Sequence, residues 1–114
     1  MDAEDFRRLA LAMSEVVEGA HMGHPDFRVG GRIFATIHHD HRTGMVKLTP
    51  DQQQDCLRDH PQVFSPESGA WGRAGCTRVN LAAVDEETLG EAMTRAWQNI
   101  ARGAAKPPKR RRRT

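Results

Sequence analysis

Three groups of side chains in this chain could do chemistry beyond packing. The first is a run of histidines. His38, His39 and His41 flank Asp40, with His21 and His24 upstream, and imidazole with carboxylate is a ligand set that suits transition metals. A strand carried through His38 and His39 would send the two rings to opposite faces. No other segment supplies partners at a recognisable ligand spacing, so the cluster reads as a polar turn. No metal site and no other cofactor is expected.

The second group is the thiols. Cys56 and Cys76 have no CxxC spacing, and Cys56 falls on the apolar face of a helix, so both are expected to be reduced and partly buried. The sequence offers no glycine-rich phosphate loop, no paired carboxylates and no Ser-His-Asp set. No catalytic residue is therefore assigned, and an enzyme is the less favoured class.

The third group is cationic. Arg28, Arg32, Lys47, Arg73 and Arg78 fall in the β-rich parts of the chain together with Trp71. Arginine and lysine release counterions when they neutralise phosphates, and an aromatic ring offers a stacking surface to a base. The competing reading is that a sheet with one open face carries arginines there for solubility. The C-terminal run Lys109, Arg110, Arg111, Arg112 and Arg113, with Lys106 before it, is a second polyanion-binding candidate. The formal charge of +2 conceals this distribution: without the six cations of the last nine residues, 11 basic and 15 acidic side chains remain. Within that body, residues 24–48 and 61–81 carry +3 and residues 2–18 carry −3. DNA or another polyanion is the expected partner, with an acidic or apolar protein or a small ligand beside Trp71 as the alternative.

These side chains need elements to hold them. At 114 residues, with 38% apolar and 28% charged residues and a mean hydropathy of −0.68, the chain fits one domain with a modest core. No apolar run reaches the roughly 18 residues of a membrane span. The acidic start does not resemble a secretion signal, so a cytoplasmic protein without membrane contact, and a monomer, is expected.

Phe6, Leu9, Ala10 and Met13 share one helical face, predicting a helix over residues 2–17 capped by Asp2. A first strand is expected through His21-Met22-Gly23-His24. Gly30-Gly31 between two β-rich runs predicts a hairpin over residues 24–37, with Val29 opposite Arg32 and Phe27 opposite Phe34. In this register Arg28 and Arg32 fall on opposite faces. Met45–Leu48 returns as a strand.

Thr49-Pro50-Asp51-Gln52 is a helix start, and Pro61 ends that helix. Gln62-Val63-Phe64 and Ala70–Arg73 are expected as short strands around a loop at residues 65–69, followed by a half-buried strand at residues 76–81. Asp85 caps a last helix whose stripe of Leu89, Ala92, Met93, Ala96, Trp97 and Ile100 must face the core. Gly103 is expected to end it. The domain is thus placed at residues 1–103, with residues 104–114 as a disordered basic tail. Helix, strands, helix, strands, helix with short connections predicts an α+β two-layer domain, an antiparallel sheet with helices packed on one face.

The strings Gly23-His24-Pro25-Asp26-Phe27-Arg28-Val29-Gly30-Gly31-Arg32-Ile33-Phe34-Ala35, Val46-Lys47-Leu48-Thr49-Pro50, Ala70-Trp71-Gly72-Arg73 and Thr77-Arg78-Val79-Asn80-Leu81 before a long helix resemble the MmcQ/YjbR-like family of small bacterial proteins. The match spans about residues 3–101. The resemblance implies a CyaY/frataxin-like fold and a "double wing" mode of DNA binding, with no reaction or cofactor. Members often carry a tryptophan shortly before the last strand. Cys76 stands there here, leaving Trp71 as the nearest aromatic.

Overall fold

Two tight turns with left-handed backbone shape the N-terminal half of the computed structural model, which describes residues 1–105. Gly30 (φ 60°) and Gly31 (φ 79°) join strand β2 (His24–Val29) to β3 (Arg32–Ile37). Val29 lies opposite Arg32, as the two-glycine turn requires. Met22 (φ 51°) and Gly23 (φ 81°) make an equivalent turn one strand earlier, between β1 (Val17–His21) and β2. The expected strand through His21–His24 is therefore corrected: those residues are the end of one strand, a turn and the start of the next.

The first helix, α1, covers only Ala3–Leu11. Glu15 takes a left-handed conformation (φ 61°), and the β-branched pair Val16-Val17 follows it into an extended path. The expected span to residue 17 was too long for that reason. At the other end, Asp2 and Asp5 form a reciprocal capping box, and Phe6 and Ala10 are buried.

The hairpin register also differs from expectation. Arg28 pairs with Ile33 but Phe27 pairs with Ala35, so Phe34 is the extra residue of a β-bulge rather than the partner of Phe27. Phe34 and Ala35 are both fully buried. A bulge allows two consecutive side chains to enter one core, which a regular pleat does not.

Strand β4 (Thr43–Lys47) leads through the Thr49/Gln52 capping box into α2 (Pro50–Asp59). A short edge strand β5 (Phe64–Pro66), a helix α3 (Gly69–Arg73), β6 (Cys76–Asn80) and α4 (Glu86–Ala105) complete the chain. Ala70–Arg73 is thus helical, not a strand. Gly72 packs so closely on the Glu67 carbonyl that a Cβ there would overlap it, and this fold-back closes the single helical turn. The paired segment begins at Phe64 and takes in Ser65 and Pro66, with the proline on an edge strand where its missing N–H costs no ladder bond. Helix α4 runs past Gly103, because one interior glycine costs only about 1 kcal/mol relative to alanine. The expected basic tail at residues 106–114 lies outside the described residues.

The six strands form one sheet in the order β1-β2-β3-β4-β6-β5, every neighbouring pair antiparallel. One face is covered by α1, α2 and α4 around Phe6, Phe27, Phe34, Ile37, Val46, Val79, Leu89 and Met93. Gly44 lets α1 settle onto the sheet, since a Cβ there would come within 2.5 Å of the Phe6 ring. The result is the expected α+β two-layer domain. The other sheet face carries His24, Asp26, Arg28, Ile33, Thr36, Met45, Lys47, Cys76 and Arg78 by strand alternation.

Candidate nucleic-acid interface

Antiparallel register decides which cations can act together. The β2–β3 turn, the C-terminal end of β4 and the start of β6 all lie at the same end of the sheet. That end therefore gathers Arg32 beside the turn, Lys47 opposite Cys76, and helix α3 with Trp71 and Arg73. Trp71 is 68% exposed, and the Lys47 ammonium sits 6.0 Å from its ring centroid, within cation–π range. Among the described residues, neither Arg32, Lys47 nor Arg73 is in an ion pair.

The other two arginines expected at this surface are neutralised. Arg28 donates from Nε to Asp26 Oδ1 (2.7 Å) and from Nη2 to Oδ2 (3.0 Å). Asp26 is fully buried and also meets His21 Nδ1 at 2.7 Å. The bonds from Arg28, aided by His21, hold the Asp26 carboxyl below its ordinary range against the opposing effect of burial. Arg78 donates to Glu67 Oε1 at 3.1 Å, while His38 Nε2 lies 2.8 Å from Glu67 Oε2. Burial alone would raise the Glu67 pKa, but the bonds and charges of His38 and Arg78 outweigh it and lower it. Glu67 thereby straps the segment before α3 across the open sheet face. As expected from the turn, Arg28 and Arg32 sit on opposite faces.

What aims Trp71 is a buried glutamine. Gln53 Nε2 approaches the Gly72 carbonyl (3.1 Å), the Cys76 carbonyl (3.0 Å) and Thr77 Oγ1 (3.2 Å), and Thr77 donates onward to the Gly75 carbonyl at 2.8 Å. This network fixes α3 against the start of β6. Sequence reasoning missed Gln53, Glu67 and Asp26 as organisers. Gln53 left one readable trace: it shares a helical stripe with Cys56 and Leu57, an odd place for a polar residue without a buried role.

The histidines do converge, although not as a turn cluster alone. His24 lies between His21 (stacked, centroids 5.6 Å apart) and His39 (tilted, 3.8 Å), where the Met22–Gly23 turn and the β3–β4 connection share the opposite end of the sheet. Desolvation, then the neighbouring His39, lower the His24 pKa, and its Nδ1 is buried without a partner. Among the described residues no three His, Cys, Asp or Glu side chains are arranged to hold a metal ion. Both cysteines are free thiols, and burial raises their pKa values, which opposes thiolate formation.

A groove of about 260 Å³ crosses the open face between these two ends. Ile33, Met45, Cys76, Trp71, Lys47 and Glu67 are among its lining residues. Cys76 and Trp71 thus face the same space. Lys109 and Arg110–Arg113, the remaining expected contacts, lie outside the described residues, among which no helix is long and apolar enough to cross a membrane.

A family model described as YjbR matches residues 11–99. No curated protein matches the chain. Among solved structures, the Deinococcus radiodurans protein DR2400, described as a DUF419 domain, is similar at 20% identity with a TM-score of 0.70, covering 91% of this chain and 88% of its own. At that identity the likeness concerns the fold.

Proposed function

This chain belongs to the YjbR family, and we propose that it is a non-enzymatic nucleic-acid-binding protein that grips the phosphate backbone at one end of its sheet. Arg32, Lys47 and Arg73 contact phosphates and Trp71 stacks on a base, with Lys109 and Arg110–Arg113 adding sequence-independent attraction. Arg28 and Arg78 stand outside the contact set, because each already has a carboxylate partner. The observation that supports this reading is the exposed Trp71 ring beside Lys47, at the sheet end that also carries the unpaired Arg32 and Arg73. A lone surface cation has solubility as its ordinary explanation; a lysine against an exposed indole, with two further unpaired arginines at the same end of the sheet, makes a combined phosphate and stacking surface. The β1–β2 and β2–β3 turns lie at opposite ends of β2, so only the β2–β3 tip, carrying Arg32, serves as a wing at this site.

The test is a titration of labelled single- and double-stranded DNA at several salt concentrations. It compares the full chain, a chain ending at Ala105, and Lys47→Ala and Arg73→Ala. Binding by both lengths of chain is expected, with each substitution flattening the salt dependence by about 0.7 to 0.9 in the log–log slope. No binding at low salt would refute the reading, and binding lost wholly with the last nine residues would refute the folded surface as its source.

A further inference from the structure

Resting on that reading, we infer that the groove on the open sheet face receives one unpaired nucleobase, and that Glu67 selects a base carrying an exocyclic amino group. The groove's volume, about 260 Å³, lies just below the roughly 300–1,000 Å³ of pockets that enclose drug-sized ligands, so it suits one ring system. Ile33, Met45, Cys76 and the Trp71 indole supply its apolar surface, and the rings of His21, His24 and His38 with Thr36 complete the lining. Those are partners for the flat face of a base rather than for a phosphate. The charges are arranged the same way. Lys47 lies beside Trp71, where the backbone of a strand whose base has entered would run, whereas inside the groove Glu67 is paired with Arg78, which leaves no second free cation there, among the described residues, for a phosphate.

Glu67 is also fixed. Arg78 and His38 each hold one of its carboxylate oxygens, which leaves a further lone-pair direction on both. A carboxylate so placed accepts from an amino group and repels a carbonyl oxygen. Cytosine presents an amino group where uracil presents a carbonyl, so the groove favours cytosine between two bases of nearly equal size. A paired base has its amino edge engaged and cannot enter, so single strands are preferred to duplex.

The experiment uses the full chain and fluorescence anisotropy with four labelled ten-nucleotide probes at one salt concentration: oligo-deoxycytidine, oligo-deoxyuridine, an abasic strand of the same phosphate count, and a duplex. Oligo-deoxycytidine is expected to bind about tenfold more tightly than the abasic strand, in line with one stacked base, and several-fold more tightly than oligo-deoxyuridine. Glu67→Gln, which keeps the hydrogen-bonding shape but can offer either an acceptor or a donor, also releases Arg78 from its carboxylate partner and so raises binding of every strand alike, abasic included; it is expected to erase the difference between the cytidine and uridine strands. If all four probes bind equally, the groove does not take a base, although the phosphate surface stands. Equal binding of cytidine and uridine strands above the abasic one overturns the role of Glu67. If no probe binds, the nucleic-acid reading itself fails.

Discussion

Replacing Asp26 with asparagine separates two roles of the Arg28 ion pair. The carboxylate is 0% exposed and receives both Arg28 bonds and the His21 contact. It fits because Gly19 lies opposite it, where a Cβ would stand 3.1 Å from Oδ1 and 3.3 Å from Arg28 Nε. Breaking a buried ion pair by removing one member costs about 3–5 kcal/mol when the survivor stays buried. Here the survivors, Arg28 and His21, are both more than a third exposed and regain water. Asparagine also keeps one acceptor, so the expected loss is about 1–3 kcal/mol.

The pH dependence has a definite sign. Asp26 has a folded pKa lowered from 3.8, so its contribution is present above the unfolded value and fades as pH falls through the folded one. Urea unfolding of the parent and Asp26→Asn should therefore differ by a constant amount near neutrality and converge below about pH 4. A difference that persists undiminished at pH 2.5 would refute the ion-pair account and point to a packing defect instead. The same variant also frees Arg28. If Arg28 lies within reach of a bound strand, the salt slope for single-stranded DNA steepens by about 0.7.

Three further outcomes follow from the same geometry. Trp71→Ala should leave the unfolding free energy within about 0.5 kcal/mol of the parent, since the ring is largely in water, while weakening single-strand binding by roughly tenfold; loss of stability would instead make Trp71 a structural residue. Gln53→Leu removes the donor shared by the Gly72 and Cys76 carbonyls and should cost about 2–3 kcal/mol, with faster Trp71 depolarisation as α3 loosens; an unchanged midpoint would show that the network carries no net stability. Trp97 is only half-buried at the edge of the core, with its Nε1–H donating to the Ser14 carbonyl at 3.0 Å, so Trp97→Ala should fall toward the lower end of the roughly 3–5 kcal/mol for fully buried aromatics, measured by the same unfolding curve.

Elements whose signals are local were legible in the sequence. The Gly30-Gly31 turn, the Thr49/Gln52 capping box and the Asp85 cap, whose carboxylate accepts from the Thr88 amide at 2.8 Å, each depend on a few adjacent residues, and each appears where the sequence places it. The stripe on α4 is equally direct. What escaped depends on non-local packing. Met22-Gly23 carries a weaker turn signal than Gly-Gly, because methionine rarely takes positive φ unless both flanking strands demand it. The bulge at Phe34 satisfies a core that takes two consecutive side chains, a demand that strand alternation cannot express. Helix α3 depends on a contact between Gly72 and the Glu67 backbone, which no helical periodicity announces over five residues.

The candidate site shows the same division, with a consequence for how basic surfaces are read. Five cations and a tryptophan could be named from residue types alone, but availability to a phosphate is a pairing property. Asp26 lies two residues from Arg28 on the same strand and face, so that neutralisation was within reach of period-2 reasoning. Glu67 is 11 residues from Arg78 and meets it only because β5 folds back along β6. Pairing therefore removes positive potential from the middle of the open face and leaves it at one end. A strand held at Lys47 lies beside Trp71, and both residues also line the groove, which links the phosphate surface to the base-binding test: the two readings share Lys47 and Trp71 but are separated by Glu67.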